Sequence, residues 1–185
     1  MWFWGLRKPG SVRHNGKRLE EILEAHDKFT RGEEGGVRAE LAGADLRRCD
    51  LRGRNLRAAN LRGARLDGSD LRDSKLGRAD LSQASLQKVL LSTADLTEAV
   101  AEGSDWTDAV CSGSELFRID LRNAKLVRTS LRGTNLRAAK LAGCTFDGAD
   151  LGSASLREVD LTGVSLERAK NVTDAVVRDV VRAEK

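Results

Sequence analysis

The 185-residue chain is short of aromatic side chains, which make up 4% of it, and it has one proline and no tyrosine. Its seven aromatics (Trp2, Phe3, Trp4, Phe29, Trp106, Phe117 and Phe146) are too few to anchor a conventional aromatic interior. Three cysteines, Cys49, Cys111 and Cys144, form an odd set with no CxxC pair and no clustered histidine. That argues against a disulfide framework and a zinc site, and it fits a reducing, cytoplasmic setting. No run approaches the roughly 18 to 20 apolar residues that a membrane-spanning helix needs. The first ten residues place their charges after a very short apolar stretch, the reverse of a secretory signal. Neither sign of charge dominates, since 32 Lys and Arg against 28 Asp and Glu leave a formal +4. Nothing in that balance argues for nucleic acid.

Leucine is what the chain has, 26 of them, and their spacing sets the architecture. Steps of five from Leu41 reach residue 166 without insertion or deletion, and 22 of these 26 centres are Leu. The exceptions are Ala101, Trp106, Cys111 and Phe146. Two residues before each centre runs a second column in which 13 of 26 are Ala and most others are Ser, Thr, Cys or Val. A polar residue lies between the columns, as in Ala44-Asp45-Leu46 and Ala59-Asn60-Leu61.

A period of five matches neither the 3.6 of an amphipathic helix nor the two of a strand. The chain must bend once per repeat, so that the large centre and the small residue before it point inward and the other three face water. Glycine after the centre suits such a bend. Successive coils then stack at about the 4.8 Å strand spacing.

The A(D/N)LXX pattern, as in Ala44-Asp45-Leu46-Arg47-Arg48, resembles the pentapeptide repeat proteins over residues 39 to 170. The resemblance implies an all-β solenoid, a right-handed quadrilateral β-helix with four repeats per coil. That gives about six and a half coils, and a rod of roughly 30 Å at the strand spacing. Leu46, Leu66, Leu86, Leu126, Phe146 and Leu166 then form one rung column of the core ladder.

The ends read differently. Residues 1–36 divide into a tail, a capping helix over 15–30 and a linker. Leu19, Ile22, Leu23, His26 and Phe29 fall on one helical face. His26 is a capping-face residue, with no nucleophile or ligand partner near it. Residues 37–170 are the β-helix. Residues 171–185 read as a short helix whose Val176, Val177, Val180 and Val181 either cap the last coil or pair with a second copy. Trp2, Phe3 and Trp4 either dock on a membrane surface or partner, or fold back under the cap, and the second reading is favoured.

No constellation for chemistry is present. Asp45 and Asp50 lie on adjacent outer faces as solvated repeat positions, the cysteines occupy inward columns, and there is no phosphate loop, nucleophile elbow or metal cluster. Neither enzyme activity nor a cofactor is expected.

Function is therefore sought where the ladder changes. Ala101, Trp106 and Cys111 break the leucine rule consecutively, and the outward positions nearby carry Leu90, Val100 and Val110, with Phe117 also outward. Leu90 and Val110, 20 residues apart, are expected to stack on one face. Residues 79 to 115, Asp105 among them, hold seven acidic side chains against Lys88 alone, with basic stretches on either side. The belt reads either as a partner-binding surface, as a stretch bulged around Trp106, or as a loop over residues 98–115 that leaves the coil.

The resemblance also suggests a DNA-mimicking modulator of DNA gyrase of the quinolone-resistance type. Mimicry needs a sustained negative surface, whereas this repeat region holds 22 positive against 19 negative side chains. A non-enzymatic scaffold for a protein partner, identity open, is the leading expectation. Acidic neighbours dilute every basic stripe, which argues against nucleic acid.

Overall fold

The structure, a computed structural model, describes residues 5–181. A 3-10 turn at Pro9–Ser11 leads into a two-stranded hairpin, β1 (Arg13–His14) and β2 (Lys17–Arg18), and then into α1 (Leu19–Arg31). The helix starts later than the spacing predicts because Asn15 and Gly16 make a tight turn, both with positive φ (48° and 79°). Asn-Gly is the preferred pair for the two-residue turn whose twist matches a hairpin, so 13–18 fold as strands. Glu21 Oε2 accepts the Arg18 backbone N–H at the helix start, and left-handed Gly32 closes the end. Of the expected face, Leu19, Leu23 and His26 are buried, Ile22 is half-buried and Phe29 is 42% exposed. The buried His26 Nδ1 accepts the Ala39 N–H at 3.0 Å, which fastens the helix to the first repeat.

From Glu40 to Asp150 the residue before a centre pairs in parallel with the residue 20 further on, Thr145 excepted. Twenty residues are four repeats, so the chain returns above itself after four bends. Four sides follow. The first carries Glu40, Asn60, Asp80, Val100, Asp120, Lys140 and Asp160 outward, and the second Asp45, Arg65, Ser85, Asp105, Lys125 and Thr145. The third carries Asp50, Asp70, Leu90, Val110, Ser130, Asp150 and Lys170, and the fourth Asn55, Lys75, Asp95, Glu115, Asn135 and Ser155. Arg7 pairs beside Cys49 and extends the third side one rung below the repeats.

Each bend is a turn in which the N–H three residues after the centre donates to the centre's carbonyl, as in Ala44 N to Leu41 O at 3.1 Å. The second residue after the centre takes positive φ at nearly every bend, from Gly43 to Gly163. Only that one position is left-handed, the signature of a type II turn. The Asp or Asn before the centre has a defined task here. Its Oδ1 accepts the N–H of the residue two further on, as Asp45 does from Arg47, Asn60 from Arg62 and Asp80 from Ser82. These are the short side-chain hydrogen bonds that Asp and Asn make to backbone two residues on, which explains the A(D/N)L preference.

The centres from Leu41 to Leu161 are all buried, the ladder residues Leu46, Leu66, Leu86, Leu126 and Phe146 among them, whereas Leu166 is half-buried at the end. Inward hydroxyls are satisfied by turn carbonyls, as Ser69 Oγ donates to Leu46 O and Thr129 Oγ1 to Trp106 O.

The C-terminal segment corrects the sequence reading. Residues 171–181 form no α-helix: a 3-10 turn at Val172–Asp174 is followed by extended chain, Val176 pairing with Ser155 and Val181 with Asp160. β-branched valines fit a pleated edge better than a helix, and the last coil offers unpaired backbone to receive them. These offsets are 21, so one residue has been inserted, and Ala175-Val176-Val177-Arg178-Asp179 follows the repeat in the shifted frame, with Asp179 at φ 54°. Val176 and Val181 point outward, 42% and 60% exposed, while Val177 and Val180 pack partly against the core. Trp2, Phe3 and Trp4 lie outside the described residues, as does the chain beyond 181.

Candidate functional site

The ladder runs unbroken through residues 98–115, so neither a loop nor a bulge forms there: Ala101 N reaches Asp120 O at 2.7 Å and Trp106 N reaches Lys125 O at 2.8 Å. The three leucine exceptions are consecutive inward positions of one turn. The oversized indole of Trp106, 1% exposed, is the centre between the small centres Ala101 and Cys111, which leave room for it. Its Nε1–H donates to Ser104 Oγ at 2.6 Å, and that hydroxyl donates to Ala101 O.

The belt residues do not share one surface. Leu90 and Val110 stack as parallel partners on the third side, as their spacing predicts. Val100 projects from the opposite, first side, Asp105 from the second, and Phe117 from the bend after the fourth. Phe117 is half-buried beneath Arg118 and Arg137, whose guanidinium carbons lie 5.0 and 5.9 Å from its ring centre. Trp106 is core and offers nothing to a partner.

The acidic belt is also not a free acidic surface. Because columns repeat every 20 residues, its carboxylates lie beside cations of the neighbouring basic coils. Glu98 pairs with Arg78 at 2.7 Å and Arg118 at 3.8 Å, Glu102 with Arg122 at 3.4 Å, and Asp108 with Arg128 at 2.6 Å. Hydrogen bonds from Arg78 and Arg128 hold the Glu98 and Asp108 carboxyls below the usual range. Burial pulls Asp105 upward, but bonds from Thr107 and Gln87 overcome it and its net shift is downward.

The third side is different around Leu90 and Val110. Both are half-buried, Ser130 continues their column, and Ser92, Ser112 and Gly113 occupy the adjoining bend. Ser112 and Ser130 share a hydrogen bond between hydroxyls at 2.9 Å. Above and below, the same side is charged: Arg72 on Asp70 at 2.6 Å, and Arg132 on Asp150 at 3.2 Å. The result is a flat uncharged strip between two ion-paired rims.

Burial pushes the thiols of Cys111 and Cys144 up to about 12 and that of Cys49 up to about 11, so all three are neutral, poor nucleophiles at neutral pH. Among the described residues no group of His, Cys, Asp or Glu is placed to hold a metal ion, and no helix is long and apolar enough to cross a membrane.

Arg54 is the position that sequence reasoning passed over. It occupies the small inward column at the first turn, where its charge is the departure that could have drawn notice.

The twenty-residue ladder with inward leucine and outward Asp or Asn defines a repeat solenoid of four five-residue units per turn. The sequence profile of pentapeptide repeats matches it with eight copies, over residues 37–73, 74–110, 94–133, 114–152 and 134–170, and the chain belongs to that family. Known structures of the family are right-handed quadrilateral β-helices.

Among solved structures the chain is similar to a pentapeptide repeat protein of the Arabidopsis thaliana thylakoid lumen, with 28% identity and a TM-score of 0.43, covering 52% of this chain and 71% of that one. It is also similar to HetL, involved in heterocyst differentiation regulation in the cyanobacterium Nostoc, with 28% identity and a TM-score of 0.37, over 77% and 82% of the two chains. QnrB1, a plasmid-mediated fluoroquinolone resistance protein, matches at 18% identity and a TM-score of 0.34 over 80% and 86%. No match was found among curated protein sequences.

Proposed function

We propose that this chain is a non-catalytic interaction module, a rod of about six and a half coils at strand spacing, and that a protein partner docks on its third side at Leu90 and Val110. The observation that carries this reading is the uncharged strip there. Elsewhere along the belt the bend residues Glu98 and Asp108 are engaged in ion pairs between coils, and among the described rungs only here do two stacked aliphatic side chains replace the Asp or Asn that the bend would use. Giving up that cap at two successive rungs is what a surface kept for contact would require. A cytoplasmic partner fits the three cysteines, each of which is free of a disulfide.

A gyrase-modulating DNA mimic is the weaker alternative, because Glu98, Glu102 and Asp108 are each neutralised by arginine. Association through the C-terminal edge would involve Val176 and Val181, which stand exposed there.

The test is affinity capture from the native cytoplasm with the wild type, with the Leu90→Asp, Val110→Asp double variant, and with Val100→Asp on the opposite side. Loss of one specific protein in the double variant and its retention in Val100→Asp is expected. Equal recovery by all three overturns the docking side, and inhibition of gyrase supercoiling at low-micromolar concentration favours the alternative.

A further inference from the structure

A solenoid that loosens at its end does so from the last residue inward, because the terminal strand has a neighbour on one side only. Here the order is reversed. The terminal strand is held, with Leu161 N donating to Val181 O at 2.9 Å and Val181 N to Val159 O at 3.1 Å. The third and fourth sides of the last turn are bonded too, through Lys170 N to Ala149 O at 2.7 Å and Val176 N to Ala154 O at 2.8 Å. Between these anchors, among the described residues, the amides of Leu141, Gly143 and Phe146 below and of Asp160 and Ser165 above make no backbone hydrogen bond. Thr145 has no rung partner above it, although Lys140 still stands beside Asp160.

The unbonded stretch also carries slack. From residue 43 on, each residue in the second place after a centre has positive φ until Arg168, which does not. Gly148 N then reaches Arg168 O at 2.9 Å, where the register of Gly43 N to Arg62 O would select Glu167. The inner face is weakly held as well. Val164 and Leu166, the residues 20 beyond Cys144 and Phe146, are only half-buried. A cavity of about 320 Å³ opens at the seam, walled by residues 138–142, Glu158 and Asp160. It gives water a route to amides that would each cost about 1 to 3 kcal/mol if left dry and unpaired.

We propose that residues 162–167 form a strap, fixed at Leu161 and at Arg168, which swings away from 139–146 without unfolding the rod and so controls access to Phe146 and to the Cys144 thiol beneath it. Opening breaks no rung of the ladder, and closing adds the missing ones. Cys144 reports the motion, being 7% exposed where Cys49 and Cys111 are fully enclosed. The strap lies on the first two sides and does not depend on the Leu90 strip of the third.

Single-cysteine variants of the full chain, with the other two cysteines replaced by Ala, test this with dithionitrobenzoate as thiol reagent. Cys144 should react at least about tenfold faster than Cys111, at a rate that dilute urea hardly changes, because a local opening exposes little surface. Val164→Ala, which trims the inner face of the strap, should raise the Cys144 rate severalfold and leave that of Cys111 unchanged. Hydrogen exchange separates a strap from a fraying end. The amides of Leu156 and Leu161, bonded to Val176 and Val181, should exchange at least about tenfold more slowly than those of Leu141 and Phe146. Equal reaction of Cys144 and Cys111 overturns the proposal, as does a Cys144 rate that Val164→Ala leaves unaltered. Exchange at Leu156 and Leu161 as fast as at Leu141 overturns it too, and that measurement, made on the wild type, decides alone if the cysteine variants lose their circular dichroism.

Discussion

The indole N–H of Trp106 donates to the hydroxyl of Ser104 inside the core, two residues back along the same strand. Ser104 thereby lets the one tryptophan of the ladder be buried without an orphaned donor. Ser104→Ala should destabilise the protein by about 1 to 3 kcal/mol, the cost of leaving a buried donor unsatisfied. Urea denaturation followed by circular dichroism measures it, and unchanged stability would show that the bond contributes nothing.

The large indole of Trp106 beside the small Ala101 predicts strong non-additivity. Trp106→Leu alone should cost about 3 kcal/mol through the cavity, and Ala101→Leu alone about 1 to 3 kcal/mol through overpacking. The double variant puts leucine at both positions, with Cys111 left as the small centre of the turn, and should recover at least about 1 kcal/mol of the summed loss. A double-mutant cycle that closes additively would rule out the coupling.

Glycine is needed at one place and missing at another. A Cβ on Gly36 would run into the Phe29 backbone nitrogen and lie 2.6 Å from its Cα, both immobile helix atoms. Gly36→Ala should therefore push the linker off α1 and cost about 1 to 3 kcal/mol. Ala58, at a bend with φ 57°, holds a conformation that disfavours a side chain by about 1 kcal/mol or more. Ala58→Gly should raise the melting temperature slightly, by less than about 1 kcal/mol of stability after glycine's larger unfolded-state entropy. Melting curves with the two signs reversed would refute the geometry of both sites.

The cap helix should be acid-sensitive. Burial lowers the His26 pKa below 6.5, with Asp27 acting against this and Arg38 acting with it. The unfolded chain then takes up the proton first as pH falls. His26 accordingly contributes stability that is present above about pH 6.5 and is lost as pH descends towards the folded-state value. The shifted carboxylates titrate lower, so a loss of stability between pH 6.5 and 5 belongs to His26. His26→Asn, which retains an acceptor for the Ala39 N–H, should flatten that interval. A persistent slope in the variant would place its origin elsewhere.

Phe146 is the counter-example to Trp106. Its turn carries Leu141, Leu151 and Leu156, with no small centre to make room. Among the described residues, the ladder hydrogen bonds that would join 139–146 to 160–165 are not made, although Lys140 still stands beside Asp160. Bonding to the next coil resumes with Gly148 N to Arg168 O at 2.9 Å and Leu151 N to Lys170 O at 3.0 Å. Hydrogen exchange should find the amides of Leu141, Gly143 and Phe146 much less protected than those of Leu121 and Leu126 one coil earlier. Comparable protection would contradict an open seam.

Much of this was legible because a strict period leaves little choice: once Leu41 to Leu166 fall on a five-residue grid, inward and outward positions follow. The pairing of Leu90 with Val110 needed only arithmetic. Placing Val100 with them neglected that ten residues are half a turn, which puts it on the opposite side. The ion pairs of Glu98 and Asp108 were hidden because they join residues distant in sequence, and a block of one sign along the chain becomes alternation up a column. The C-terminal strand escaped because valine replaced leucine and one inserted residue shifted the frame. The Asn15-Gly16 hairpin was a local signal overruled by an apparent helical face.

Four units per turn also makes the rod a counting device. Removing five residues anywhere in the middle would rotate everything downstream by a quarter turn, and a partner spanning the cut would meet the wrong side. Inserting twenty would leave every side facing its original direction and displace it by one strand spacing, about 4.8 Å. Length and facing can therefore be changed independently in this scaffold, length by whole turns and facing by single units.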